Sequence, residues 1–446
     1  MGKKYDLIIV GAGPAGVTAA KFAGEQGLQV ALLDRKNDIG NISKVCGQTV
    51  SLSSRSLFLG ESALFDFKTS EFVFANHGFR LSYDGPYRRM NAINFGSTCG
   101  NLIECGTRTE DADINEDECI GIYFDKGIFL KGIVKQAQDA GVEVFTGINV
   151  TGVEKTESGV KVIGDSDTFE GTFAIAADGV NSRITQALGF NKERKFFGTM
   201  KVAGYHMEGV RPANNNSVYF IFGGSQNPYV FVIFPTYDKD RHIVVVLSIN
   251  PNVDLEQTFE FITQKSFYAP WFAGAKKGEK ASCVANMYSQ IPVPFRDNVL
   301  ILGDAAATEE VAQCGGMIMG WMAAREINRA IKNNKPNQEG LAGFLDFWDK
   351  VYLKYYDSKT YVMNWALPVM LDEDEIDYLY GLCSRTPLAG TYDPYDLIND
   401  MNRVIERSAP IIQMERPQIL AKLQKTAMEP IENTLVNEIN GGSPCV

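Results

Sequence analysis

Gly11, Gly13 and Gly16 stand in the order G-x-G-x-x-G, with Pro14 and Ala15 inside the repeat, and Asp34 closes the next apolar run. Glycines at this spacing make a tight turn, bring backbone amides up to a pyrophosphate and let a helix pack closely on a strand. An acid about twenty residues on accepts from a ribose hydroxyl. The chemistry is the holding of a dinucleotide with an ADP half. Two further Gly/Asp pairs end apolar runs, Asp178-Gly179 and Gly303-Asp304, and a glycine turn, Gly315-Gly316-Met317, opens a helix-forming stretch. Cys46 and Gly47 lie in a compact, unusual stretch from Lys44 to Ser51.

Short parallel elements must hold the first glycines. Tyr5 to Val10 is an apolar run expected as a buried strand, Val17 to Gln26 a helix closed by Gly27, and Leu28 to Leu33 a second buried strand. A further helix begins near Lys126, with Phe129, Leu130, Ile133, Val134 and Ala137 on one face and Gly141 at its end; the strand Val142 to Phe145 follows. Residues from about 55 to 100 are aromatic and alternating, and about 195 to 285 is rich in strand-forming runs, notably Pro228 to Pro235 and His242 to Ser248, so both regions are expected as strands of a second, sheet-containing domain. From Phe344 onward the chain reads as helical and aromatic.

With 446 residues the chain has room for two or three domains. A net charge of −11 argues against nucleic acid as a partner. No apolar run approaches the roughly 18 residues of a membrane span and no signal peptide is read, so a cytoplasmic protein is expected, soluble or peripheral at the inner face of the membrane. The eight cysteines contain no C-x-x-C pair and the three histidines are isolated. Neither a disulfide framework nor a metal site is indicated.

Three signals stand in chain order: GAGPAG from Gly11, AADGVNSR around Asp178, and ILGDAA around Asp304. The triplet resembles the flavoprotein fold shared by aromatic hydroxylases of the para-hydroxybenzoate type and by geranylgeranyl reductases, and the finer features resemble the reductases. That resemblance implies an α/β fold with FAD as cofactor: a Rossmann-like FAD-binding domain, an inserted β-sheet substrate domain and a helical C-terminal region. The boundaries expected are 1–54, 101–190 and 286–340 for the first, 55–100 and 191–285 for the second, and 341–446 for the third. The same resemblance implies cofactor contacts from Gly11, Gly13, Pro14, Ala15, Gly16, Asp34 and Arg35. It adds Asp178, Gly179, Gly303, Asp304, Gly315, Gly316 and Met317, with Asp304 at the ribityl chain. Cys46-Gly47 resembles the family's cysteine-containing loop beside the isoalloxazine, and Lys126 stands where an arginine is usual. The aromatic substrate motif, Tyr-x-Trp-x-Phe-Pro, is matched roughly by Tyr229, Phe231, Phe234 and Pro235, out of step and without tryptophan. The loop Thr308 to Ala312 lacks the family's proline and carries two acids.

Such a reductase saturates isolated C=C bonds of a geranylgeranyl or other isoprenoid chain, on a lipid or a polyprenyl quinone, by hydride from reduced flavin and a proton from elsewhere. Cys46 is the residue placed to give that proton or to shape the ring's surroundings; otherwise it is a small buried apolar group. Alternating strands also bury one face in any β domain, and Tyr355, Tyr356, Tyr361 and Trp365 read equally as core. With one G-x-G-x-x-G unit, electrons would come from transiently bound NAD(P)H or from ferredoxin. Two other activities fit the motifs: a flavin-dependent aromatic monooxygenase, and an electron-transfer flavoprotein that reduces a quinone ring.

Overall fold

The computed structural model describes residues 3–42, 44–53, 57, 59–107, 116–307, 313–354, 367–386, 388–391 and 393–428. Its first layer is a parallel sheet built on Lys4–Val10, which pairs on one side with Val30–Asp34 and on the other with Thr168–Ala176. Glu143–Thr146 extends it beyond Val30–Asp34, and Val299–Ile301 joins the C-terminal end of Thr168–Ala176. The central strands are buried on both faces, as their unbroken apolar runs require. An antiparallel ribbon, Val150–Thr156 with Gly159–Gly164, hangs on the first half of Thr168–Ala176.

Helix Pro14–Glu25 begins with proline in its first turn, where the missing N–H costs nothing, and ends before Gly27, which adopts φ +83°. Helix Lys126–Asp139 is capped by Asp125, whose carboxylate accepts from Ile128 N at 2.9 Å. It buries Phe129, Leu130, Ile133, Val134 and Ala137, the stripe expected from sequence.

The second layer is a seven-stranded sheet in the order Lys276–Tyr288, Phe196–Glu208, Arg241–Ser248, Val230–Pro235, Ser217–Phe222, Ala92–Ser97, Leu102–Gly106. Its two faces are separately filled. One packs on helix Leu255–Lys265 through Tyr219, Phe231, Ile233, Phe259 and Ile262. The other packs on the C-terminal helices through Val218, Phe222, Val232, Val245, Leu371, Ile376, Leu379 and Tyr380.

The expected domain boundaries shift in three places. Leu102–Gly106 is an edge strand of the second sheet, not of the nucleotide domain, because it pairs antiparallel with Ala92–Ser97. Strand Lys276–Tyr288 carries the second sheet past residue 285. The aromatic strands Ala63–Asp66, Glu71–Phe74 and Phe79–Ser82 form a small sheet of their own that packs on the nucleotide layer. Phe79 stacks on Trp321 with ring centroids 5.1 Å apart and meets Phe22 edge-on at 5.5 Å, so its aromatic face belongs to the first core. Helix Pro394–Glu415 lies in the helical region expected from Phe344 onward. Among the described residues no helix is long and apolar enough to cross a membrane.

Candidate active site

All three motifs meet at the start of helix Pro14–Glu25. A Cβ on Gly11 would lie 2.3 Å from the Ala177 carbonyl oxygen and one on Gly16 1.8 Å from the Gly11 carbonyl oxygen, so neither position admits a side chain. The Ala177-Asp178 segment is thereby pressed onto the glycine turn. From the other side, a Cβ on Gly303 would lie 3.4 Å from Ala15 Cβ and one on Gly316 3.3 Å from Ala15 N. Helix Cys314–Lys332 thus starts beside helix Pro14–Glu25. Neither N-terminus has a side-chain cap or an acid in its first turn. Two sets of uncapped amides and two positive dipole ends converge, the arrangement that holds phosphates and anionic rings.

The cradle fits a dinucleotide on its own atoms. A Cβ on Gly13 would meet nothing within 4 Å, so space is open over the turn. Asp178 accepts from Arg183 N at 3.1 Å with one oxygen, while its buried Oδ1 has no partner. Burial pushes the Asp178 carboxyl up. Asp304 is enclosed by protein yet open to solvent, as a group on a cavity wall is. Enclosure raises its carboxyl, against the pull of the Lys126 and Lys44 ammonium groups. Gly303 N donates to Met319 Sδ at 3.2 Å, which fixes that turn.

Asp34 is buried and already engaged: Oδ2 accepts from Ala12 N at 2.7 Å and Oδ1 from Lys36 N at 2.8 Å. It ties the second strand to the glycine turn, with lone pairs left for a ribose hydroxyl. Arg35 is exposed, with no side-chain partner among the described residues. Met317 is fully buried in the core.

Cys46 is held by three donors. Gln48 N and Gln313 Nε2 each lie 3.4 Å from Sγ, and Lys126 Nζ 3.7 Å. Gln48 is fixed in turn, its side-chain oxygen accepting from Lys126 N at 3.0 Å and its carbonyl from Phe124 N at 3.0 Å. Gln313 adopts φ +68° just before its helix, which turns its side chain back to the thiol. No motif pointed to Gln313; only its place before Cys314-Gly315-Gly316 marks it. Cys314 itself is buried and donates to the Ser51 carbonyl at 3.1 Å, a packing role.

The four aromatic-motif residues do not act together. Side chains alternate along Val230–Pro235, so Phe231 packs with Phe259 and Phe272 on the face away from Cys46, with Tyr229 in the same cluster. Phe234 points the other way, and a Cβ on Gly47 would lie 2.7 Å from its ring. Pro235 ends the strand opposite His242. Phe234 meets Phe220 edge-on at 6.0 Å, and Phe220 stacks on Phe95 at 5.7 Å. Phe95 and Phe220 are only partly buried, so an aromatic floor leads away from Gly47 under the C-terminal helices. The expected acidic loop at 308–312 and Tyr355, Tyr356, Tyr361 and Trp365 lie outside the described residues.

Comparison with known proteins accords with this geometry. Residues 128–331 match the family described as FAD binding domain, and residues 9–46 the NAD(P)-binding Rossmann-like domain. A digeranylgeranylglycerophospholipid reductase of Methanocaldococcus jannaschii is 22% identical over 418 residues, 92% of this chain and 97% of the relative. One from Methanosphaera stadtmanae is 27% identical over 366 residues, 78% of this chain and 81% of the relative. Among solved structures, a geranylgeranyl bacteriochlorophyll reductase-like protein from Thermoplasma acidophilum superposes with TM-score 0.70 at 17% identity, covering 95% of this chain and 99% of that one. The halogenase PltM shares the fold at TM-score 0.63 and 13% identity, covering 99% of this chain and 98% of that one. Matches of this length, on a chain whose own glycine turn and paired helix ends make a dinucleotide cradle, make it an FAD-dependent oxidoreductase similar to the digeranylgeranylglycerophospholipid reductases.

Proposed function

We propose that the protein saturates isolated C=C bonds of a geranylgeranyl or related isoprenoid chain carried by a lipid. The observation that carries this reading is the partly open aromatic floor of Phe95, Phe220 and Phe234 ending at Gly47 and Cys46. An isoprenoid offers no charge to recognise, so a dry apolar surface that stops beside the cofactor cradle is what it requires.

The uncapped N-termini of helices Pro14–Glu25 and Cys314–Lys332, with Asp34, Asp178 and Asp304, would hold FAD. Bound and reduced, FAD supplies a hydride to one alkene carbon. The chain supplies the rest. Phe234 and Phe220 exclude water and lay the chain across the floor. Cys46 Sγ, next in the chain to Gly47 at the end of that floor, would give the proton for the other carbon. Lys126 and Gln313 orient the thiol and compensate the negative charge that develops on sulfur as the proton leaves. Asp304 and Lys126 are close enough for the ammonium to pull on the carboxyl, so together they set the local charge of the cradle.

The test is mass spectrometry of lipids after anaerobic incubation with chemically reduced enzyme. Geranylgeranyl lipid and a polyprenyl quinone are offered together. Gain of two hydrogens per double bond in the lipid chain is the expected result. Unchanged chains with a reduced quinone ring would sink the reading.

A further inference from the structure

The chain is acidic overall, yet its charge is not evenly spread. Residues 181–202 carry five basic side chains against the single acid Glu193, which pairs with Arg296, in a chain of net charge −11. Strand Phe196–Glu208 pairs with strand Lys276–Tyr288, with Lys201 opposite Val284, Thr199 opposite Asn286 and Phe196 opposite Tyr288. A bulge between Phe196 and Gly198 brings Phe196 onto the same face as Lys201. That face looks outward: Phe196 is 44% exposed and Val284 51% exposed. Lys192 and Lys201 are exposed too, and neither has an acid in ion-pair range among the described residues.

The face also borders the cofactor cradle. Asn181, three residues past Asp178, donates from Nδ2 to the Val284 carbonyl at 3.0 Å, and its Oδ1 accepts from Asn286 N at 3.2 Å. It therefore latches the edge strand to the nucleotide layer. Next to it, Lys44 Nζ lies 3.8 Å from where a Cβ on Gly179 would sit. On the inner side of the same strand, Cys283 feels the charge of Lys44.

We propose that this face, with Phe196 and Val284 at its centre and Lys192 and Lys201 beside them, is the docking site of an acidic one-electron carrier protein that reduces the bound FAD. An apolar centre rimmed by charge of one sign suits a transient partner of opposite charge, which it steers and orients. Phe196 and Lys201 are five residues apart on one strand, so the patch spans roughly 17 Å, the scale of a small electron-transfer contact. A lipid surface fits less well. The apolar groups are two separate side chains on a sheet, not an amphipathic helix, and they border the cofactor cradle rather than the far end of the aromatic floor. Two reduced carriers each give up one electron; with two protons from solvent these reduce one FAD, and one C=C bond consumes that reduction. The inference rests on the reductase reading for its consequence but not for its test.

The experiment uses the FAD-loaded full chain, with a plant-type [2Fe–2S] ferredoxin as the acidic probe. Binding is measured by biolayer interferometry, and flavin bleaching by reduced ferredoxin in anaerobic stopped flow, across salt concentration. For Lys192→Glu/Lys201→Glu, affinity and low-salt bleaching rate should each fall by about tenfold or more, with a weaker salt dependence. Bleaching by dithionite should be unchanged, which shows that the cofactor site is intact. Lys192→Gln/Lys201→Gln should fall in between. Wild-type binding and bleaching by both variants would overturn the proposal. So would loss of binding to anionic phosphatidylglycerol vesicles with ferredoxin behaviour intact. Failure of isoprenoid saturation with dithionite-reduced enzyme would sink the reductase reading and leave this result standing.

Discussion

The Cys46 thiol has donors on three sides and no acceptor of its own among the described contacts. A serine keeps the size and the hydrogen bonds but is a far weaker acid. Cys46→Ser should therefore retain FAD in full while slowing lipid saturation by about a hundredfold, on the scale of a lost general acid. Flavin absorbance and single-turnover lipid analysis would check this; an unchanged rate assigns the proton to another group. A second side chain affects stability. His242 is fully buried, its Nε2 2.7 Å from Asn215 Oδ1 and its Nδ1 without a partner. Burial, then the nearby Arg88 and Arg211 guanidinium groups, lowers its pKa to about 3. The folded protein thus keeps His242 neutral while the unfolded chain takes up a proton below about pH 6.5. Stability falls as pH drops from 6.5 toward 3, by up to about 1.4 kcal/mol per pH unit from this group. His242→Asn should flatten that slope in urea midpoints measured between pH 7 and 5, and an equally steep acid limb would assign it to the carboxylates. Such residues show what the sequence reveals and hides. Gly11, Gly13 and Gly16 were legible because their role is local. The helix stripe at Phe129 to Ala137 was legible because burial repeats along it. Tyr229 and Phe231 were misplaced because strand parity, not composition, decides which face a side chain takes. Gln313 was invisible because its contact with Cys46 depends on a left-handed backbone and a partner 267 residues away.

At the scale of elements, the site depends on how closely helices Pro14–Glu25 and Cys314–Lys332 cross. Gly320 sets that approach: a Cβ there would lie 2.3 Å from the Ala15 carbonyl oxygen and 3.0 Å from Ala19 N. Both contacts are backbone, which cannot swing aside as a side chain can. Gly320→Ala should push the two helix N-termini apart and cost about 1–3 kcal/mol, the range for overpacking a tight core. Weaker FAD retention should accompany the lower melting temperature, since the amides that face the phosphates move with the helices. The control is Gly132→Ala, on the open side of helix Lys126–Asp139, where a Cβ meets nothing within 4 Å. That change should be neutral or slightly stabilising by helix propensity. If Gly320→Ala loses stability but keeps FAD as tightly as the parent, crossing distance and cofactor grip are not linked. Element order itself was largely readable, because each strand and helix carries its own periodicity. The ownership of the small aromatic sheet was not, since Phe79 finds Trp321 only once the chain has folded back across more than two hundred residues.

Across the whole molecule, three apolar cores form among the described residues, and two of them divide the labour at the site. One joins the nucleotide sheet, its helices and the small aromatic sheet; the other joins the seven-stranded sheet to the C-terminal helices. The floor beside Cys46 lies in the second, so the C-terminal helices act as its roof. Glu375 holds that roof. It completes a capping box with Asp372 at the start of helix Glu373–Cys383 and pairs with Lys422 of the last helix, Pro417–Met428. Its side chain is 6% exposed and that of Lys422 40%, so the pair sits at the edge of the core with one end in water. Ile376, Leu379 and Tyr380 on the same helix then meet the sheet, Tyr380 edge-on to Phe222 at 6.1 Å. Glu375→Ala removes half of the capping box and leaves a part-exposed lysine without its partner, a loss of about 1–2 kcal/mol confined to the second core. Hydrogen exchange should accelerate across 371–383 and 417–428 and stay unchanged across 4–34 and 126–146, with FAD still bound. Lipid saturation should fall all the same, because an open roof admits water to the floor and releases the chain from register with the cofactor. Uniform acceleration through both regions would mean that the two cores unfold as one unit, and that the grip on cofactor and the grip on lipid cannot be tuned apart.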